Sequence, residues 1–419
     1  MVSAADTPLS IRASGLQPGQ SATLSVVSVD AEGVTWSSSS VYVADSAGTI
    51  DPATSPAVAG SYTGLDPMGP VDFMTSGDLG VTAPAWGWPF GMSNTSPDDA
   101  YSWATCSLVL QGSSGCSWSK PLPFVFSVSA GPADVSVTVQ RGPARPVTAS
   151  FESVAATGFY GVFWDPPAGH ENHVGILEFG GSGGGIDTSV GALLAARGYP
   201  TLDIAYFDEP GLPQAAENIP LEYFARALRW LGSQPGVNPK RLWVVGWSLG
   251  TQAALLLGVH YPNLVHGVVA LMPSDVALCS SVSTGTSGKS SIWKFSGKPV
   301  PCTSQFDNPH PTDKPASLIP VADIRGPVLF TCANHDMAWV SCPYSRAMMT
   351  ELSAAHDAYR HELLDFADAG HGIGFLAPYM PAVAAYADSP GYGLSGTTGL
   401  SDPLAIADQW PKILTFLRN

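Results

Sequence analysis

One serine of this chain sits in a setting that can make a nucleophile of it. Leu242-Trp-Val-Val-Gly246-Trp247-Ser248-Leu249-Gly250-Thr-Gln-Ala-Ala-Leu-Leu-Leu257 runs an apolar strand pattern into a glycine-flanked turn and out into an apolar helical pattern. Gly-x-Ser-x-Gly between a strand and a helix is a nucleophile elbow. Its glycines let the two elements approach closely while the serine is held in a tight, exposed turn. A serine hydroxyl attacks poorly until a base takes its proton, and the base needs an acid to orient it. After an elbow of this kind the acid comes next in the chain and the histidine last. Leu329-Phe-Thr-Cys-Ala-Asn-His-Asp336 reads as a strand ending in a polar turn, which makes Asp336 the first candidate acid. Leu363-Leu-Asp-Phe-Ala-Asp-Ala-Gly-His371-Gly reads as a strand, an acidic turn and a histidine bracketed by glycines, which makes His371 the candidate base. Asp365 and Asp368 are alternative acids and His361 an alternative base. His361 opens a strand, however, and Asp368 suits a turn in which its carboxylate bonds nearby backbone.

Acyl chemistry at such a serine also needs two N–H donors for the oxygen that becomes negative. One is the amide of the residue after the serine, Leu249. The other belongs to a loop after an early strand. Glu178-Phe-Gly180-Gly181-Ser182-Gly-Gly-Gly185 follows a strand pattern directly and can turn its amides toward the elbow, so Gly181 or Ser182 is the candidate second donor. A phosphate-binding loop is the other use of such glycines, but no Gly-Lys-Ser/Thr follows.

The elements that must carry these residues fall into two halves. Up to residue 146 the pattern is short strands (9–11, 22–29, 34–43, 106–110, 123–128 and 135–140) separated by Gly, Pro, Asn and Asp, with no amphipathic helix and a long irregular stretch at 74–100. That reads as an antiparallel β-sandwich. From 147 to 419 strand patterns (161–163, 174–179, 201–205, 242–245, 268–271, 328–332 and 361–366) alternate with helical ones (189–197, 220–232, 251–260, 342–356 and 403–418). Alternation of this kind gives βαβ units and a mostly parallel sheet. The expected architecture is an α/β-hydrolase domain of residues 147–419, a mostly parallel sheet flanked by helices, preceded by an all-β sandwich domain of residues 1–146.

Composition narrows the class. Of 419 residues 45% are hydrophobic and only 12% charged, so the chain can bury large cores. The net charge of −16 argues against a phosphate-backbone partner, and no nucleic acid is expected. Apolar runs are broken well short of the roughly 20 residues of a membrane helix, so no span is expected. Met1-Val-Ser-Ala-Ala-Asp6 has neither a basic nor an apolar leader region; either no leader exists or one has been removed. The six cysteines fall into local pairs, Cys106 with Cys116, Cys279 with Cys302 and Cys332 with Cys342, none with Cys-x-x-Cys spacing. Zinc is disfavoured, and no metal or cofactor is called for. Disulfides and a secreted or periplasmic location are expected, with free thiols in a cytoplasmic enzyme as the alternative.

Between the fifth and sixth strand patterns of the second half lies a connection too long to be a simple turn, 280–302. Loops of that length are commonly lids or binding loops. Leaving the sheet after the elbow strand and its neighbour, it is expected over the carboxyl ends of the strands. Trp293 and Phe295 within it, with Trp247 beside the elbow serine, are candidate contacts for an acyl chain. The plainer reading of Trp293 and Phe295 is a small satellite core.

Several stretches together carry a family resemblance: Ser39-Ser-Val-Tyr-Val-Ala-Asp-Ser-Ala-Gly48, Ala59-Gly-Ser-Tyr-Thr-Gly-Leu-Asp-Pro-Met-Gly69, the glycine loop, Ala205-Tyr-Phe207, Leu221-Glu-Tyr-Phe224 and Ala369-Gly-His371. Over nearly its full length the chain resembles type I acyl-CoA thioesterases and their relative bile acid-CoA:amino acid N-acyltransferase. The resemblance implies that Ser248, Asp336 and His371 act as nucleophile, acid and base on an acyl thioester or ester. Ser248-Leu-Gly-Thr251 departs from the family's usual elbow, which carries a lysine and an extra glycine after the nucleophile. A serine, where the acyltransferase branch typically uses cysteine, favours water as acceptor. Acyl transfer or cyclisation onto a bound amine or hydroxyl, a secreted esterase or lipase, and a hydrolase-like binding protein without catalysis are the other readings. Oligomeric state is left open.

Overall fold

The computed structural model describes residues 2–29, 35–76, 116–118, 121–186, 189–280, 290–355, 358–374, 378–379 and 399–418. The N-terminal part is built on a seven-stranded sheet. Its principal strands are β1 (Val2–Ala4), β2 (Ser21–Val29), β3 (Thr35–Val43), β4 (Leu122–Ala130) and β5 (Ala133–Gly142), in the spatial order β1-β5-β4-β2-β3. All pair antiparallel except β1 with β5. Burial alternates along β2 and β3, as expected of a sheet with one dry face. A second layer of short segments covers that face, and Leu24, Val26, Trp36, Tyr42, Phe124 and Phe126 lie buried between them. Residues 9–11, expected as a strand, join no ladder; Leu9 and Ile11 instead pack on this core, and the Leu9 amide meets Met68 Sδ at 3.1 Å. An isolated apolar triplet has no strand-specific signal, so side-chain burial satisfied it without pairing. The expected strand 106–110 lies outside the described residues.

The second sheet has nine strands. Eight are β6 (Val147–Glu152), β7 (Tyr160–Asp165), β8 (Gly175–Phe179), β9 (Thr201–Ala205), β10 (Leu242–Trp247), β11 (Gly267–Leu271), β12 (Val328–Ala333) and β13 (His361–Phe366), in the order β13-β12-β11-β10-β8-β9-β7-β6. The ninth, Cys116–Trp118, pairs antiparallel with β6, so the first half of the chain contributes an edge to this sheet. The six strands from β13 to β9 are parallel, while β7 runs antiparallel to both β9 and β6. The parallel strands β8, β9, β11 and β12 are buried at every position, as expected of strands covered on both faces, with Glu178, Thr201, Asp203 and Thr331 as buried polar residues among their apolar ones. Helices α1 (Ser189–Ala196), α2 (Leu221–Gly232), α3 (Gly250–His260), α4 (Ser341–Ala355) and α5 (Ser401–Phe416) complete an α/β-hydrolase architecture preceded by an all-β domain.

Two features of the topology place the site. After β9 the chain crosses to the other side of β8 to form β10, so the carboxyl ends of β8 and β10 meet where the strand order reverses. Such a crevice is where open parallel sheets bind ligands. The long connection after β11 docks there too: Ile219 and Pro220, on the connection leaving the carboxyl end of β9, pair with Trp293 and Lys294. Cys279–Cys302 closes this connection by a disulfide.

The halves are joined by buried polar contacts. Asp6, 5% exposed, accepts hydrogen bonds from Arg197 Nε and Nη2 at 2.7 and 2.6 Å and from Trp410 Nε1 at 3.1 Å. Arg197 follows α1 and Trp410 sits on α5, so one N-terminal carboxylate ties together two helices of the second sheet.

Candidate active site

The elbow forms because its glycines leave room that no side chain could share. A Cβ on Gly246 would stand 2.7 Å from the carbonyl oxygen of Gly250 across the turn. A Cβ on Gly250 would press into Phe179 and the Gly180 carbonyl, at the end of β8. Ser248 takes the left-handed backbone conformation, φ 53°, which costs a non-glycine residue about 1–3 kcal/mol. Three hydrogen bonds hold it there: its amide donates to Leu271 O at 2.9 Å, and its carbonyl accepts from Thr251 N at 3.0 Å and Thr251 Oγ1 at 2.6 Å.

From this apex Ser248 Oγ lies 2.8 Å from His371 Nε2. His371 Nδ1 in turn lies 2.9 Å from both carboxylate oxygens of Asp336. The three side chains come from the ends of three different strands, and those of His371 and Asp336 are 3% and 1% exposed. Asp336 is aimed by its own turn, since its Oδ1 accepts the amides of Ala338 at 2.9 Å and Trp339 at 3.2 Å. Beyond the ends of β12 and β13 the two loops remain joined: Asn334 N donates to Phe366 O and His335 N to Ala369 O, both at 3.0 Å. The disulfide Cys332–Cys342 closes the Asp336 loop at its base.

His371 is framed by two indoles. The Trp247 and Trp339 ring centroids lie 5.9 and 5.6 Å from its own, and Trp339 Nε1 donates to Met272 O at 3.1 Å. Gly374 abuts Trp247 so closely that a Cβ would fall inside the indole. From behind, α5 holds the same loop: Asp402 Oδ1 accepts the Gly370 amide at 2.7 Å, and Gln409 Nε2 donates to Ile373 O. Trp339, Gly374, Asp402 and Gln409 were not singled out in the sequence. They carry no motif, and only the fold brings them to His371.

The alternatives sit elsewhere. Asp365 is held by Arg346 Nε and Nη2 at 3.1 and 2.6 Å and by Asn334 Nδ2 at 2.7 Å. Asp368 is exposed in the turn after β13, and His361 begins that strand opposite Val328. The Gly181 and Ser182 loop reaches the elbow: the position a Gly181 Cβ would take lies 3.0 Å from Ser248 Cβ and 3.3 Å from its Oγ. Among the described residues neither the Leu249 nor the Gly181 amide donates to a backbone carbonyl.

A deeply buried serine–histidine–carboxylate row beside two amides has the parts for acyl transfer, and relatives place the chain in a family of such proteins. Residues 6–79 match the model of the acyl-CoA thioester hydrolase/BAAT N-terminal region, and residues 219–419 that of the BAAT/acyl-CoA thioester hydrolase C terminal. The chain belongs to the acyl-CoA thioester hydrolase/BAAT family. Within it, acyl-coenzyme A thioesterase 6 of Mus musculus is 28% identical, over 99% of this chain and 93% of the relative. Peroxisomal succinyl-coenzyme A thioesterase of Mus musculus is 28% identical, over 90% and 84%. Acyl-coenzyme A amino acid N-acyltransferase 2 of Rattus norvegicus is 27% identical, over 99% and 95%.

In this member of the family the two aromatic residues of the long connection have packing partners of their own. Trp293 is fully buried; its Nε1 donates to Gln252 Oε1 at 2.9 Å, and its ring packs on Tyr206 and Phe224. Phe295 stacks on His260, at 4.0 Å between centroids, and meets Tyr261 edge-on. Trp247 alone of the three candidate acyl contacts touches the His371 loop. Among the described residues no helix is long and apolar enough to cross a membrane.

Proposed function

We propose that this protein hydrolyses acyl thioesters, or esters of like shape, through an acyl-enzyme on Ser248. The observation that carries the reading is the unbroken row from Ser248 Oγ to His371 Nε2, 2.8 Å, and from His371 Nδ1 to Asp336, 2.9 Å. In the first half-reaction His371 Nε2 takes the Ser248 proton as Oγ bonds to the acyl carbonyl carbon. Asp336 accepts a hydrogen bond from the Nδ1–H, which fixes the tautomer and favours the imidazolium that forms. The carbonyl oxygen, now negative, takes hydrogen bonds from the Leu249 amide and from that of Gly181 or Ser182. Collapse breaks the bond to sulfur or oxygen, and His371 gives its proton to the leaving thiol or alcohol. Water then loses a proton to His371 and attacks the acyl-serine; the acyl–Oγ bond breaks, His371 returns the proton to Ser248 Oγ and the acid leaves. No metal or redox group enters any step.

The family's named members include both coenzyme A thioesterases and an amino acid N-acyltransferase. A serine nucleophile and the family membership favour hydrolysis with an acyl thioester as substrate. The test is product analysis with a panel of acyl-CoA, short carrier-like thioesters and aryl esters, with and without glycine and taurine. Free acid as the product throughout supports hydrolysis; amide formation that rises with added amino acid and displaces the free acid would replace it.

An oxidising compartment is the companion proposal. Cys279–Cys302 and Cys332–Cys342 are bonded, and disulfides persist chiefly outside the reducing cytosol. Cys106 of the third expected pair, Cys106–Cys116, lies outside the described residues. Peptide mapping without reduction should recover all three pairs from protein made in an oxidising host, and six alkylatable thiols there would remove the basis for this location.

A further inference from the structure

The glycine loop that reaches Ser248 has no ladder of its own to fix its peptide planes. It is fixed instead from below by residues 206–208. Tyr206 is buried, 3% exposed, and its hydroxyl lies 2.8 Å from Gly181 O and 3.2 Å from Gly180 O, two consecutive carbonyls 25 and 26 residues earlier in the chain. The Gly185 amide donates to Phe207 O at 3.4 Å, and a Cβ on Gly184 would stand 2.9 Å from Asp208 Cβ and 3.1 Å from the Phe207 ring. The Tyr206 ring is itself held among Phe179, Phe207, Phe224 and Trp293, with centroids 5.1 to 6.2 Å away. Burial pushes its phenol well above the usual tyrosine range, so it stays protonated and remains a donor.

In a trans peptide the carbonyl of one residue and the amide of the next point in opposite directions. A donor that holds the carbonyls of Gly180 and Gly181 therefore turns the amides of Gly181 and Ser182 the other way. Gly181 also abuts Ser248, with only 3.3 Å between the position of its missing Cβ and Oγ. A phenol that needed only a partner could take any buried carbonyl. This one spans two successive peptides of the single loop whose amides the reaction needs.

We propose that Tyr206 is a positioning residue for the oxyanion site: its hydroxyl anchors the Gly180 and Gly181 carbonyls so that the Gly181 and Ser182 amides face the substrate's developing oxyanion. The shorter of its two hydrogen bonds fixes the Gly181–Ser182 peptide, which makes the Ser182 amide the better-held donor. Tyr206 touches no reacting atom; it acts through the loop. The assignment rests on the acyl-enzyme reading given above.

Tyr206→Phe keeps the ring and removes the anchor. Deleting an oxyanion donor outright lowers kcat about 100- to 1000-fold, and loosening one should cost less, about 10- to 100-fold. The expected result is that fall in kcat with KM within threefold of wild type, and an equal loss of affinity for an acyl trifluoromethyl ketone, whose hemiketal oxyanion occupies the same site. A structural role alone would lower the melting temperature without this parallel. The assignment is overturned if kcat/KM stays within threefold of wild type, or if kcat falls while ketone affinity does not. If the Phe variant does not accumulate as folded protein, 3-fluorotyrosine at position 206 makes the donor stronger at nearly constant shape. Turnover and ketone affinity should then change together, and independent change overturns the assignment. Fluorophosphonate labelling of the wild-type protein separates the two levels. Failure to label Ser248 sinks the acyl-enzyme reading itself, whereas normal labelling with an unaffected Phe variant sinks only the role of Tyr206.

Discussion

Ser248 shows how a single residue's backbone can be spent on geometry. Its left-handed φ is unfavourable, and the surrounding hydrogen bonds and the close packing of Gly246 and Gly250 hold it in place. With Oγ 2.8 Å from His371 Nε2, removal of either group should stop the same step. Ser248→Ala and His371→Ala are each expected to lower kcat by at least about 1000-fold and the double variant by little more, because members of such a row act as a unit. Asp336→Asn, which keeps the shape and upsets the imidazole tautomer, should be severe but milder. Steady-state kinetics on an aryl ester measures all four, and additive losses in the double variant would contradict a shared step. The spacing of Ser248, Asp336 and His371 was legible because each closes a strand pattern with a polar turn. The indoles of Trp247 and Trp339 around His371 and the contact of Gly374 with Trp247 were not, since such contacts join residues far apart in sequence and leave no local pattern.

At the level of elements, the parallel strands were readable as short runs rich in apolar residues alternating with helical patterns, and α2 from its amphipathic spacing. The edge of the second sheet was not. β6 has the weak alternating pattern of an edge strand, and its partner Cys116–Trp118 comes from the other half of the chain. The long connection after β11 was legible as an insertion, but its burial was not. Trp293 there shares Gln252 Oε1 with the Leu278 amide, which lies 3.0 Å from that oxygen, and packs against Tyr206 in the core. Trp293→Ala should therefore destabilise the fold by about 3–5 kcal/mol, through the cavity it leaves. Thermal unfolding with kinetics on esters of increasing acyl length measures it. A lower melting temperature with unchanged chain-length preference is expected, and a changed preference at unchanged stability would place the indole in the acyl pocket instead.

Charge is sparse in this chain, and among the described residues its buried carboxylates sit in different surroundings. Asp6 joins the two halves through Arg197 and Trp410. Asp275 is different: 4% exposed, with Oδ1 lacking a hydrogen-bond partner, it is pushed up to about 8 by burial, with Glu351 adding to the rise. The folded protein thus keeps a proton on Asp275 that the unfolded chain releases above about pH 4. A raised carboxyl pKa contributes stability that is fully present below the unfolded value and is lost as pH rises toward 8. Asp275→Asn removes this dependence, so its stability relative to wild type should increase by about 1–3 kcal/mol between pH 5 and pH 8. Denaturant unfolding at the two pH values checks this, and a constant difference between variant and wild type would show that Asp275 is ionised in the folded protein.

The central claim is an acyl group carried on Ser248, and the most direct measurement is to trap it. Protein mixed with an aryl ester or acyl thioester, quenched in acid within milliseconds to seconds and digested, should yield by mass spectrometry the peptide containing Ser248 heavier by one acyl group. His371→Ala should show none on the same timescale. Substrate turned over with the acyl group on another residue, or with no covalent adduct at any quench time in wild type or a deacylation-slowed variant, would contradict the account.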